Sequence, residues 1–300
     1  MGDVPARASS RSGGANDVAL NATIIFQAGG EISNSRAFVV DSRPLRPAPS
    51  GTMSGPSSDA DEFADHSALV PELREAILAS ETCPKDADGT RRVPLDEPAF
   101  LRRFLACAKG DVAKSVARHN AYWDARREFF GADDRPFDEE KCIAIRERMP
   151  FYLAPEGALD VDGRQLIFVR PALLDWTALE TDDALEYVWY TYDRALERNT
   201  RGFVLVGDMR GLDPTRHLNR AFMRKMARSL FGSMPVRIRA ARICRQPFVF
   251  GVVWAFVRML LPSKMAGRVK VLGETYEEEL FALLPRESVP ESLGGTLKVD

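Results

Sequence analysis

Beyond about Pro150, short continuous apolar runs alternate with longer segments of helical period, and that alternation admits few folds. An Asp162-Gly163 turn leads into a strand at Gln165–Arg170. Thr181, Asp182 and Asp183 then open a helix bearing Leu185, Val188, Tyr192 and Leu196, and Phe203–Val206 suits a buried parallel strand. A helix from about Thr215 to Leu230, a strand near Ile238–Cys244, an apolar helix Phe248–Leu261 and a strand Val269–Leu272 complete the series. Repeated strand-helix-strand units predict an α/β domain with a mostly parallel sheet and right-handed crossovers.

Upstream the period is helical throughout. Leu73, Ile77 and Leu78 share one face, and a polar break spans Pro84–Pro94. Asp96 followed by Pro98 reads as the start of a second helix with Phe100, Leu101, Phe104 and Leu105 on one stripe, stopped by Gly110. Asp111 caps a third, carrying Val112, Val116, Asn120 and Trp123. The expectation is a small all-α module at 67–135 ahead of the α/β domain at 136–300. Residues 1–60 hold 10 Ser, 7 Gly and 5 Pro, with Thr23–Phe26 and Ala37–Val40 as their only apolar runs. So little apolar surface does not offset ordering entropy, so 1–66 is expected to be a disordered or weakly structured tail.

Several functions are excluded by what the chain lacks. With 41 basic against 43 acidic residues and a net charge of −2, it is no globally basic nucleic-acid binder. No apolar stretch reaches the roughly 20 residues that span a bilayer. Cys83, Cys107, Cys142 and Cys244 lie far apart, which suits reduced thiols in a cytoplasmic protein, and His66, His119 and His217 are isolated. Neither a metal nor a cofactor is expected. The phosphate-cradling patterns GxGxxG and GxxxxGK[ST] and the elbow GxSxG are missing, so no enzyme is indicated. Cys142 and Arg148 have the spacing of cysteine phosphatases, but the five residues between them read as helix rather than as an anion-binding loop.

Between Pro214 and Gly273 there is no Asp or Glu, while thirteen Arg and Lys occur there, including Arg237, Arg239, Arg242 and Lys264. These four are expected to form a surface that meets anionic lipid. The same stretch encloses the helix Phe248–Leu261, which is apolar around nearly its whole circumference and so must face either the core or something else apolar.

The segments "FLRRFLACAKGDVAKSVARHNAYWDARREF", "VDGRQLIFVR", "FVLVGDMRGL", "SMPVRIRAARICRQPFVFGVVWAFVRMLLPSKMAGRVKVLG" and "LLPRESVPESLGGTL", in that order and spacing, resemble the CRAL-TRIO lipid-binding family over about residues 69–297. The resemblance implies a sheet that floors a hydrophobic cavity, closed by a helical gate at about Phe248–Leu261. Implied cavity contacts are Phe168, Tyr187, Tyr190, Phe203, Leu205, Phe222, Phe250, Val253, Trp254 and Val257. Arg268, at the start of the last strand, and Thr215 are the implied head-group contacts. Asp213 and Val236 depart from the phosphatidylinositol-binding pattern, which leaves the cargo open among phosphatidylinositol, another phospholipid and a neutral lipophile.

The expected function is therefore non-enzymatic binding and intermembrane transfer or presentation of a lipid or small lipophile, with peripheral contact on anionic membranes and no role for nucleic acid. The alternative is a lipid-sensing regulatory module that reaches a protein partner through its amino-terminal tail.

Overall fold

The computed structural model describes residues 64–80, 95–131, 137–273 and 275–298. The expectations for the tail up to residue 63, for the polar break and for a domain boundary at 135 lie outside these residues. All described residues belong to one unit, Ser58–Asp300.

Four helices come first: α1 (Val70–Ala79), α2 (Pro98–Ala108), α3 (Val112–Phe130) and α4 (Glu139–Arg146). Asp111 caps α3 as its position predicts, accepting from the Lys114 amide at 2.9 Å. Asp96 does not cap α2. Glu97 occupies the cap without a side-chain bond, and Asp96 pairs instead with Arg74.

The rest alternates strand and helix: β1 (Phe151–Leu153), β2 (Gln165–Val169), α5 (Thr181–Arg198), β3 (Phe203–Asp208), α6 (Pro214–His217), α7 (Arg220–Leu230), β4 (Ile238–Cys244), α8 (Phe250–Leu260), α9 (Ser263–Ala266), β5 (Val269–Val271) and α10 (Tyr276–Phe281). The fold is α/β. One sheet has the strand order β1-β2-β3-β4-β5, with β1 antiparallel to β2 and every other pair parallel. β1 had no separate signal in the sequence, because three residues are too few to show a period.

The helix expected from Thr215 to Leu230 is two helices. Leu218 is extended, and Asn219 starts α7 by accepting from the Phe222 amide at 2.9 Å. Asn and Asp side chains compete for backbone donors in this way, which favours a cap over a helix interior.

Alternation along the strands builds two cores. Phe151, Ile167 and Phe203 face α5 and the amino-terminal helices, in a cluster that runs from Val70 to Met234. Leu166, Phe168, Val204, Val206, Ala240 and Cys244 face the opposite way, onto Leu280, Leu284, Val289 and Leu293 of the carboxyl-terminal segment. Burial on both faces is why β2 and β3 read as continuous apolar runs.

Candidate functional site

A third, smaller cluster lies at the carboxyl ends of β3 and β4. Met209 and Leu212, which follow β3, pack with Phe250 and Val253 of α8, and Leu218, Ile243, Trp254, Val257 and Val271 complete the group. Ile243 pairs with Val271 across β4 and β5, so adjacent strands supply the floor and α8 the cover. Trp176 and Phe222 stand beside it with ring centroids 4.8 Å apart, and the Trp176 indole donates to the His217 carbonyl at 3.0 Å.

Four of the ten expected cavity residues, Phe250, Val253, Trp254 and Val257, meet in this cluster. Leu205 and Phe222 join the main core on the same side of the sheet. Three others make their contacts elsewhere. Phe203 contacts the Tyr192 ring at 5.7 Å, the Tyr190 hydroxyl donates to Glu139 at 3.1 Å, and burial against α4 and α5 raises the Tyr187 pKa, with Arg146 and Cys142 nearby. Phe168 lies on the opposite face of the sheet, packed against the carboxyl-terminal core with Tyr152 at 5.6 Å. Met209, Leu212, Leu218, Ile243 and Val271 escaped sequence reasoning. The first three sit in irregular turns, and the last two become neighbours only through strand pairing.

Arg268 and Thr215 do not form one head-group site. Thr215 follows the carboxyl end of β3, whereas Arg268 precedes the amino end of β5, and in parallel strands these ends lie at opposite edges of the sheet. Thr215 is also engaged: its hydroxyl donates to Asp213 at 2.8 Å, and this bond and that of its amide hold the Asp213 pKa below the usual carboxylate value. Arg268 donates to the Ile238 carbonyl.

α8 is far less buried than its composition suggests. Of α8 only Phe250 and Val253 are buried, while Val252 is 47% exposed, Met259 76%, and Phe248 just before the helix is fully exposed. Scattered single apolar residues on a surface are ordinary, but a run of them on one helix is not. At the carboxyl end of α8 a cavity of ≈ 550 Å³ opens between Trp254, Arg258, Leu261, Ser263, Ala266 and Gly267.

The basic surface is differently composed from the expected one. Arg239 and Lys264 are exposed, as a membrane contact requires. Arg237 turns inward, donating to the Ala106 carbonyl at 3.3 Å. Arg242 shares a strand face with Ala240 and Cys244, half-buried toward Glu279, and burial depresses its pKa. Arg237 precedes β4, and Arg242 lies on the strand face turned to the carboxyl-terminal core, so neither joins the exposed set. Arg216, Arg220, Arg224 and Arg258 are exposed and take their place. Among the described residues, no carboxylate lies within ion-pair distance of Arg220, Arg224, Arg258 or Lys264, whereas Lys225 pairs with Asp182, Arg228 with Glu128 and Lys270 with Glu279.

A separate cleft of ≈ 510 Å³ between α2 and the end of α5 is lined by both charge signs, including Asp65, Glu97, Arg102, Glu197 and Arg201, and does not suit an acyl chain. Cys142 lies buried in α4, its thiol pushed up to about 12 chiefly by desolvation, the reverse of what a nucleophilic cysteine needs. Among the described residues no three His, Cys, Asp or Glu side chains are placed to hold a metal, and no helix is long and apolar enough to cross a membrane.

The arrangement of β2 to β5 with an apolar helix in the last crossover agrees with the family model for the CRAL/TRIO domain, which matches residues 153–295. The match falls on the part of the chain that carries the sheet and α8, and that family is one of lipophile-binding and lipid-transfer proteins. The chain is 24% identical to alpha-tocopherol transfer protein-like of Homo sapiens over 206 residues, covering 67% of this chain and 59% of that protein. It is 26% identical to tyrosine-protein phosphatase non-receptor type 9 of Mus musculus over 66% of this chain but 33% of the phosphatase. It is 23% identical to SEC14 cytosolic factor of Candida glabrata over 84% of each. The chain thus spans less than two thirds of the length of the first two of these relatives.

Proposed function

We propose that this chain binds one lipid or small lipophile beneath α8 and transfers it between membranes or presents it there, with no covalent step of its own. One observation carries the reading: the most apolar helix of the CRAL/TRIO domain covers an apolar cluster with Phe250, Val253, Trp254 and Val257 while turning Val252 and Met259 outward. A cover of this kind costs little to close over a lipid, and a bilayer offers its outer face an equivalent apolar environment. Burial of acyl chain contributes roughly 0.8 kcal/mol per CH₂, which suffices to retain cargo.

The test is native mass spectrometry of the full chain purified under mild conditions, followed by lipid extraction. One phospholipid or lipophile per chain is expected. A protein that stays empty, and gains no mass from a mixed lipid extract, sinks the reading.

The exposed cations beside α8 support a membrane contact on that side of the molecule. The double variant Arg258→Gln, Lys264→Gln is expected to weaken cosedimentation with phosphatidylserine vesicles by about thirtyfold, since each basic side chain near an anionic surface contributes about 1 kcal/mol. Unchanged sedimentation removes this face from the contact.

A further inference from the structure

We infer that Arg220 and Arg224 of α7 latch the gate through the Phe256 ring, and that an anionic phospholipid surface releases the latch by competing for the same two guanidinium groups. This deepens the carrier reading and rests on it. Both side chains are four residues apart on one helix face, exposed, and stacked over Phe256 of α8 with guanidinium-to-centroid distances of 5.8 and 5.7 Å. Elsewhere α7 is tied to the body: Lys225 pairs with Asp182 and Arg228 with Glu128, both lie over the Phe129 ring, and Ser229 accepts from the Trp189 indole at 3.1 Å. The helix is a fixed post, and its two cations without carboxylate partners among the described residues are the ones that hold the moving part.

Energetic comparison favours a switch over a permanent clasp. An exposed stack of a cation on an aromatic ring and the pull of an anionic surface on one basic side chain are of similar size, so approach to such a surface trades one for the other. A guanidinium drawn toward phosphate leaves the ring face. Phe256 is then free to move with α8, at the moment when an apolar medium is within reach. Neutral phosphatidylcholine lacks the net charge to make this exchange, so gate release is tied to the charge of the target membrane.

Phe256→Leu keeps an apolar side chain and removes the ring. Loaded with pyrene-labelled phosphatidylcholine, this variant is expected to transfer to pure phosphatidylcholine vesicles roughly five- to tenfold faster than wild type and to lose most of the acceleration that added phosphatidylserine gives wild type. Phe256→Tyr, which restores a ring face, is expected to behave as wild type. Amide hydrogen exchange of residues 250–260, measured without vesicles, is expected to be faster in Phe256→Leu by a similar factor. Equal protection in the two proteins, or an undiminished response to phosphatidylserine in Phe256→Leu, overturns the latch. Faster exchange in a protein that carries no pyrene lipid at all keeps the latch and discards the carrier reading.

Discussion

Trp189→Ala is expected to cost about 3–5 kcal/mol of folding stability, the largest loss from any single truncation proposed for this chain. The indole is fully buried in α5 and is the point where three parts of the molecule meet. Its ring lies 5.5 Å from Tyr122 and 5.4 Å from Phe130, both on α3, and its Nε1–H donates to Ser229 of α7 at 3.1 Å. Truncation opens a cavity at this junction and leaves the Ser229 hydroxyl short of a donor. Native stabilities are only about 5–15 kcal/mol, so a loss of this size is a large share of the whole. Urea denaturation followed by circular dichroism measures the loss, and Trp189→Phe is expected to recover more than half of it. A cost below about 1 kcal/mol would mean that the amino-terminal helices do not share a core with the α/β domain.

The second large effect is acid sensitivity centred on His119. This side chain is completely buried among Phe100, Phe104 and Trp123. The Trp123 indole donates to His119 Nε2 at 3.1 Å, so the ring proton sits on Nδ1 and points to Asn120 Oδ1 at 3.2 Å, while Asn120 Nδ2 donates to Ser80 at 3.0 Å. A second proton would have to occupy Nε2, where a donor already faces it. Burial accordingly lowers the His119 pKa from 6.5 to about 4. Between these values the unfolded chain binds a proton that the folded chain refuses. Stability is therefore complete above pH 6.5 and falls as pH drops toward 4, by about 3 kcal/mol in all. Urea midpoints measured across that window check the sign and size, and His119→Gln is expected to flatten the profile. A profile that stays equally steep in the variant assigns the loss to carboxylates instead.

His119 also shows what was legible beforehand. As an isolated histidine it gave no metal signal, and nothing in its spacing announced that an indole would fix its tautomer, because that depends on Trp123 lying one helical turn away in a shared core. The rhythm of strands and helices was readable, since period survives without tertiary knowledge. The direction in which a strand residue points was not. Both faces of β2 and β3 are apolar, so no alternation distinguishes Phe168 from Ile167, although they line different cores. A register irregularity near Phe203 and Val204 decides how β4 pairs, and with it which of Arg237, Arg239 and Arg242 reaches solvent. Charge counting located the basic region. Only the packed sheet sorted its members.

The strands follow one another across the sheet in chain order, so α8 belongs to the connection between the two neighbours β4 and β5. Its ends are fixed on neighbouring parallel strands, at the carboxyl end of β4 and the amino end of β5, and among the described residues no other strand lies between the two. Extra residues between Gln246 and Gly267 would therefore lengthen a surface excursion without shifting the pairing of Ala241 with Val269 or Ile243 with Val271. Closing a longer excursion costs only a term that grows with the logarithm of its length. The space beneath α8 is thus adjustable independently of the scaffold, and a chain of this design can change its size by insertion or deletion in one segment.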